Sequence, residues 1–124
     1  MGDSSGEHTQ TLKFLDFTHP GLDLLVFLLH LLTVSDVTNI DQDHMDTYGG
    51  DVRRLDVEWG RACDPEAVAG ALEESAVDVV TVVHAETSTG VLNPLREIAT
   101  IAHQHGALVI VDAVTSLGAM PLDV

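Results

Sequence analysis

The sequence predicts an α/β domain built on a parallel sheet, and three observations carry that expectation. Two runs are apolar and rich in β-branched residues, Val77–Val83 (VDVVTVV) and Ala107–Val111 (ALVIV), as suits strands covered on both faces. Each follows a stretch with apolar residues at helical spacing. A third short run, Val52–Val57 (VRRLDV), alternates as a strand does. The order strand, helix, strand, helix, strand implies parallel strands joined by right-handed helical crossovers.

The chain divides near residue 48. Within 1–48, Met1–Thr11 is polar and is expected to fray, and Leu22–Val34 is apolar without a clean period. Asp36–Tyr48 (DVTNIDQDHMDTY) is acidic and turn-rich. A calcium loop begun at Asp41 fails: Met45 takes the fifth position, Asp46 the sixth where glycine is needed, and Val52 the twelfth. His44 does not repair it, so a solvated acidic loop is expected and no metal. From Gly49 onward the pattern is regular. Asp64-Pro65-Glu66 is a helix start, with an N-cap, a first-turn proline and an acid that complements the dipole. That helix carries Val68 and Leu72 on one face and ends near Ser75. Pro94 opens a second helix with Leu95, Ile98, Ile101 and Ala102 at helical spacing. His103 and His105 fall in its last turn as solvated residues, and Gly106 is placed to stop it. Trp59 is expected to pack at the surface.

Composition narrows the function. The 124 residues carry a net charge of −15 and one lysine, Lys13. Such acidity opposes binding to nucleic acid or anionic membrane and suits a high-salt cytoplasm, where repulsion is screened. The single cysteine, Cys63, cannot form an internal disulfide; it points to a reducing compartment and a structural role. Leu24–Leu32 (LLVFLLHLL) is shorter than the roughly 20 residues of a membrane span, and the start lacks a basic signal-peptide region. A cytoplasmic protein is expected.

In parallel sheets, ligands bind beyond the carboxyl ends of the strands. His84–Gly90 and Asp112–Gly118 lie there. Asp112 ends a buried strand, where a carboxylate is costly unless paired. It either caps the following turn or meets a cation. Arg53, Arg54, Arg61 and Arg96 lie elsewhere in the pattern, and no P-loop or GxGxxG is present. A cofactor with a protonated ring nitrogen could supply the partner.

The run HAETSTGVLNPLREIATIAHQHGALVIVDAVTSLGAMPLDV resembles the central part of the large domain of class V aminotransferases of the alanine–glyoxylate and serine–pyruvate type. The H-x-E-x-S-T-G-V turn, the Pro-Leu helix opening and V-D-A-V-x-S-L-G occur in the family's order. GGDVRRLDVEWGRACDPEAVAGALEES resembles the segment before it, so the resemblance covers Gly49–Val124. It implies pyridoxal 5′-phosphate as cofactor, amino acid and 2-oxo acid substrates, and a homodimer. Asp112 would pair with the pyridine nitrogen, Val114 would pack on the ring, and Thr87 would lie near the phenolic oxygen. Gly90 would allow a sharp turn, Ser88 and Thr89 would shape it, and His84 would hold a structural hydrogen bond. Thr87-Ser88-Thr89 points away from the cysteine desulfurases, which carry an asparagine-containing motif there. The family's Schiff-base lysine lies beyond Val124, Lys13 does not match it, and 1–48 shows nothing of the phosphate cradle. The resemblance therefore implies an incomplete three-layer parallel sheet of the pyridoxal-phosphate transferase large domain over 49–124, inactive by itself. The alternative is a non-catalytic α/β binding or interaction module.

Overall fold

In a computed structural model of the chain, the described residues are 10–17, 26 and 50–122. The expectations for Leu22–Val34 (Val26 apart), for Asp36–Tyr48 and for nearly all of the calcium-like loop lie outside them. The elements are β1 (Gln10–Phe17), β2 (Gly50–Val57), α1 (Pro65–Glu74), β3 (Val79–Val83), α2 (Leu95–Gln104) and β4 (Leu108–Asp112). One sheet runs β2-β1-β3-β4.

The strands expected from the sequence are present and point the same way. β3 and β4 pair in parallel, with Val83 opposite Asp112. β2 does not touch β3, because β1 lies between them, antiparallel to both. The sheet is therefore mixed. Burial on both faces of β1 explains its central place. Leu12 and Phe14 are buried on one face, and Lys13, Leu15 and Phe17 on the other. Gln10 and Thr11, expected to fray, are the first residues of this strand.

The core lies between the sheet and the two helices. Leu12, Phe14, Val80 and Val82 meet Val68 and Leu72 of α1 and Ile98 and Ala102 of α2. Each fully buried aliphatic side chain contributes about 1.5–3 kcal/mol of transfer free energy. The α1 start is as expected: Asp64 accepts a hydrogen bond from Glu66 N at 3.0 Å. At the other end, the Arg53 guanidinium donates to Ala71 O at 2.6 Å and sits 5.1 Å from the Phe14 ring centroid. A carbonyl left without a helical partner in the last turn is thereby satisfied from β2. Gly106, with φ +77°, ends α2, and His105 Nδ1 lies 2.9 Å from Ile101 O. His103, His105 and Trp59 are exposed.

Continuous burial holds for β3, where Val79, Val80, Thr81 and Val82 are all buried. It does not hold for β4, whose Leu108 is exposed and whose other residues are half-buried. The reason is position: β4 is an edge strand of this sheet and has one neighbour instead of two. Among the described residues, no helix is long and apolar enough to cross a membrane.

Candidate functional site

The ends of β3 and β4 carry two loops. The first, following Val83, is a tight hairpin. Glu86 N donates to Val91 O and Gly90 N to Glu86 O, both at 2.8 Å, and Ala85 bridges Leu92. Gly90 sits at φ +71°, a left-handed conformation that favours glycine. The Glu86 carboxylate accepts from Ser88 Oγ at 2.8 Å, and Thr89 Oγ1 accepts from Val91 N at 3.4 Å. Ser88 and Thr89 thus shape the turn, as expected. Thr87 differs: its hydroxyl leaves the hairpin and meets Thr115 Oγ1 of the second loop at 2.6 Å.

The second loop follows β4. Asp112 Oδ1 accepts from Val114 N at 3.1 Å, so the carboxylate does cap the following turn. This uses one of its oxygens. The other has no protein partner among the described residues, and no described ion pair involves Asp112. Val114 follows with 86% of its surface exposed and Leu117 with 72%. These open apolar side chains and the Asp112 carboxylate stand side by side at the end of β4.

His84 makes the structural hydrogen bond expected of it. The residue is 6% exposed, and Nδ1 lies 2.9 Å from the Oγ of fully buried Ser116. His84 N also donates to Asp112 O at 2.9 Å. Two side-chain bridges therefore join the loops, His84 to Ser116 and Thr87 to Thr115. The sequence reading passed over both Ser116 and Thr115, because small hydroxylic residues in a turn carry no signal of which partner they will meet.

Asn93 was also passed over. It is buried and uses every polar group it has. Its Oδ1 accepts from Cys63 N at 2.8 Å, its Nδ2 donates to Val83 O at 2.8 Å, and its N donates to His84 O at 2.8 Å. Its own carbonyl accepts from Leu95 N at 2.8 Å. One side chain thus ties the segment before α1 to the end of β3, at the entry to α2. The signal available was a polar residue before the helix-opening Pro94. Cys63 is buried beside it, and burial, then the Asp64 charge, pushes its thiol up to about 11. It stays a neutral thiol near neutral pH, consistent with a structural role.

A cavity of about 530 Å³ flanks α2, with His84, Asn93, Arg96, Thr100 and His103 among its lining. Thr87, Asp112 and Val114 do not line it. Thr87 and Val114 lie instead on the exposed surface of the two loops, and half-buried Asp112 ends β4 beside them.

Comparison with known proteins identifies the family. The family model described as aminotransferase class-V matches residues 37–124. The chain belongs to that family. An uncharacterized aminotransferase of Methanocaldococcus jannaschii is 51% identical over 72 residues, covering 57% of this chain and 19% of its own length. A 2-aminoethylphosphonate–pyruvate transaminase of Pseudomonas putida is 53% identical over 51 residues, covering 41% of this chain and 14% of its own. The crystal structure of alanine–glyoxylate aminotransferase from Nostoc sp. superposes with TM-score 0.59 at 40% identity, covering 65% of this chain and 22% of that one. The chain thus spans about a fifth or less of the curated aminotransferases it matches. The match begins at residue 37, inside the N-terminal part that the sequence pattern had set apart.

Proposed function

We propose that this chain contributes one wall of the cofactor site of a pyridoxal-phosphate-dependent transaminase. The observation that carries the reading is Asp112, which spends one carboxylate oxygen on Val114 N and keeps the other without a partner among the described residues at the strand ends. That donor set fits the cofactor. The free carboxylate oxygen suits a protonated pyridine nitrogen, exposed Val114 suits the ring face, and the Thr87 hydroxyl suits the phenolic oxygen. The cofactor, when bound, supplies an electron sink for bonds at the substrate's amino carbon. The chain's own part is to hold the ring nitrogen's proton through Asp112 and to orient the ring between the two loops. Substrates of the whole protein would be an amino acid and a 2-oxo acid, handled by a homodimer. The relatives differ in the pair they use, as 2-aminoethylphosphonate with pyruvate and alanine with glyoxylate illustrate.

The 124 residues are proposed to be inactive by themselves. Their one lysine, Lys13, is 8% exposed and lies in β1 opposite Thr81. That is two positions short of Val83, the residue opposite Asp112. A buried amine within the sheet is poorly placed to attach a cofactor held beyond the strand ends. Treatment with pyridoxal phosphate and borohydride, followed by peptide mapping, is expected to give no stoichiometric adduct. A stoichiometric adduct together with turnover of alanine and glyoxylate would overturn this.

The acidity supports placement in a salt-rich cytoplasm. Asp16 lies opposite Asp51 across β1 and β2. Its carboxyl is held above the usual aspartate range, first by burial and then by the neighbouring Asp78 charge. A carboxyl raised in this way costs the folded state when ionised, and the cost is relieved as pH falls through its folded pKa. Salt screens the same repulsion at neutral pH. The melting temperature should therefore rise between low salt and molar KCl; equal melting in both would sink the halophilic assignment.

A further inference from the structure

The exposed contact between Thr87 and Thr115 is the shortest of the side-chain bridges between the loops, at 2.6 Å, and the cofactor assignment gives Thr115 no part. We infer that Thr115 is a positioning residue: its hydroxyl fixes the rotamer of Thr87 and turns the Thr87 proton outward, toward an anionic oxygen of the ligand. This rests on the cofactor reading above.

The argument is one of counting. Each hydroxyl has one hydrogen and two lone pairs. If Thr87 donates to Thr115, its proton is spent and it can only accept from a ligand. If Thr115 donates to Thr87, the Thr87 proton is released, and the bond it receives polarises it as a donor. An anionic ligand oxygen selects the second arrangement. Both hydroxyls are exposed, where a single bond competes with water and is worth little alone. Their separation, however, is set by a buried neighbour. Ser116, next to Thr115, is fully buried and bonded to His84 of the first loop at 2.9 Å. The backbone bond from His84 N to Asp112 O adds a third tie between the same segments. Water can replace the Thr115 hydroxyl, but it cannot hold the Thr87 rotamer as a side chain fixed by those ties can.

Two measurements test this. In the ligand-free protein, three-bond scalar couplings at Thr87 report its rotamer. A single rotamer is expected in the wild type and in Thr115→Ser, with rotamer averaging in Thr115→Val. Averaging in the wild type, or no change in Thr115→Val, overturns the inference whatever the ligand is. The second measurement is a fluorescence titration with pyridoxamine 5′-phosphate, which carries no aldehyde to react with amines. Thr115→Val should weaken binding roughly three- to tenfold, the scale of one hydrogen bond. Thr115→Ser should restore it to within about twofold, and the Thr115→Val effect should vanish in a Thr87→Val background, since coupled groups are non-additive. Equal losses from Thr115→Val in both backgrounds would mean a merely structural role and would overturn the inference. A wild type that binds no pyridoxamine 5′-phosphate overturns the cofactor reading and the ligand half of the inference together, and the couplings then decide the rotamer half.

Discussion

Replacing Asn93 by leucine is expected to destabilise the chain by about 3–5 kcal/mol, from two hydrogen bonds whose partners are left unsatisfied. Leucine keeps the branched outline and the number of side-chain heavy atoms while removing both polar groups. Cys63 N and Val83 O, each 2.8 Å from the Asn93 amide, lose their partners together. The bond to Cys63 N is buried and the bond to Val83 O is part-buried. A domain of this kind has about 5–15 kcal/mol in total, so the variant should unfold at a much lower urea midpoint with little change in slope. The backbone bond from Asn93 N to His84 O at the base of the first hairpin is kept by leucine, so the loss is that of the side-chain amide alone. A loss below about 1 kcal/mol, the ordinary scale of a surface change, would show that the Asn93 clamp is not holding these segments together.

The strands and helices from residue 50 onward were legible because each has a local signature. Asp64 and Pro65 start α1, Gly106 stops α2, and the valines of β3 declare a strand buried on both faces. β1 was not legible, although it occupies the centre of the sheet. TLKFLDF breaks its apolar run with Lys13 and Asp16, and nothing local says that Phe14 will lie against Val80 and Arg53. Such pairing is decided by residues distant in sequence, beyond the reach of periodicity. The same distinction divides the site. Ser88, Thr89 and Gly90 act within their own turn and could be assigned from the motif. Thr115 and Ser116 act across to the other loop, and Asn93 reaches back to Cys63, so only the fold reveals them. For β4 the expectation of full burial failed on a different ground: its apolar sequence is that of an interior strand, but in this sheet it lies at the edge.

Asp112→Asn is expected to weaken binding of pyridoxamine 5′-phosphate roughly ten- to a hundredfold, the scale of a hydrogen bond to a charged group. The substitution is nearly isosteric, and an asparagine carbonyl still accepts from Val114 N, so the turn after β4 is kept. What is lost is the negative charge offered to the ring nitrogen. The difference between wild type and variant should shrink as pH rises, because deprotonation of the bound ring removes the positive partner that distinguishes carboxylate from amide. Far-ultraviolet circular dichroism and the urea midpoint should be nearly unchanged, which separates this effect from unfolding. The most direct test of the account is therefore a fluorescence titration of the wild type and Asp112→Asn with pyridoxamine 5′-phosphate at neutral pH. Saturable binding by the wild type and a loss of ten-fold or more in the variant are predicted; no binding by the wild type, or equal affinity in the two, would contradict the placement of the cofactor at these strand ends.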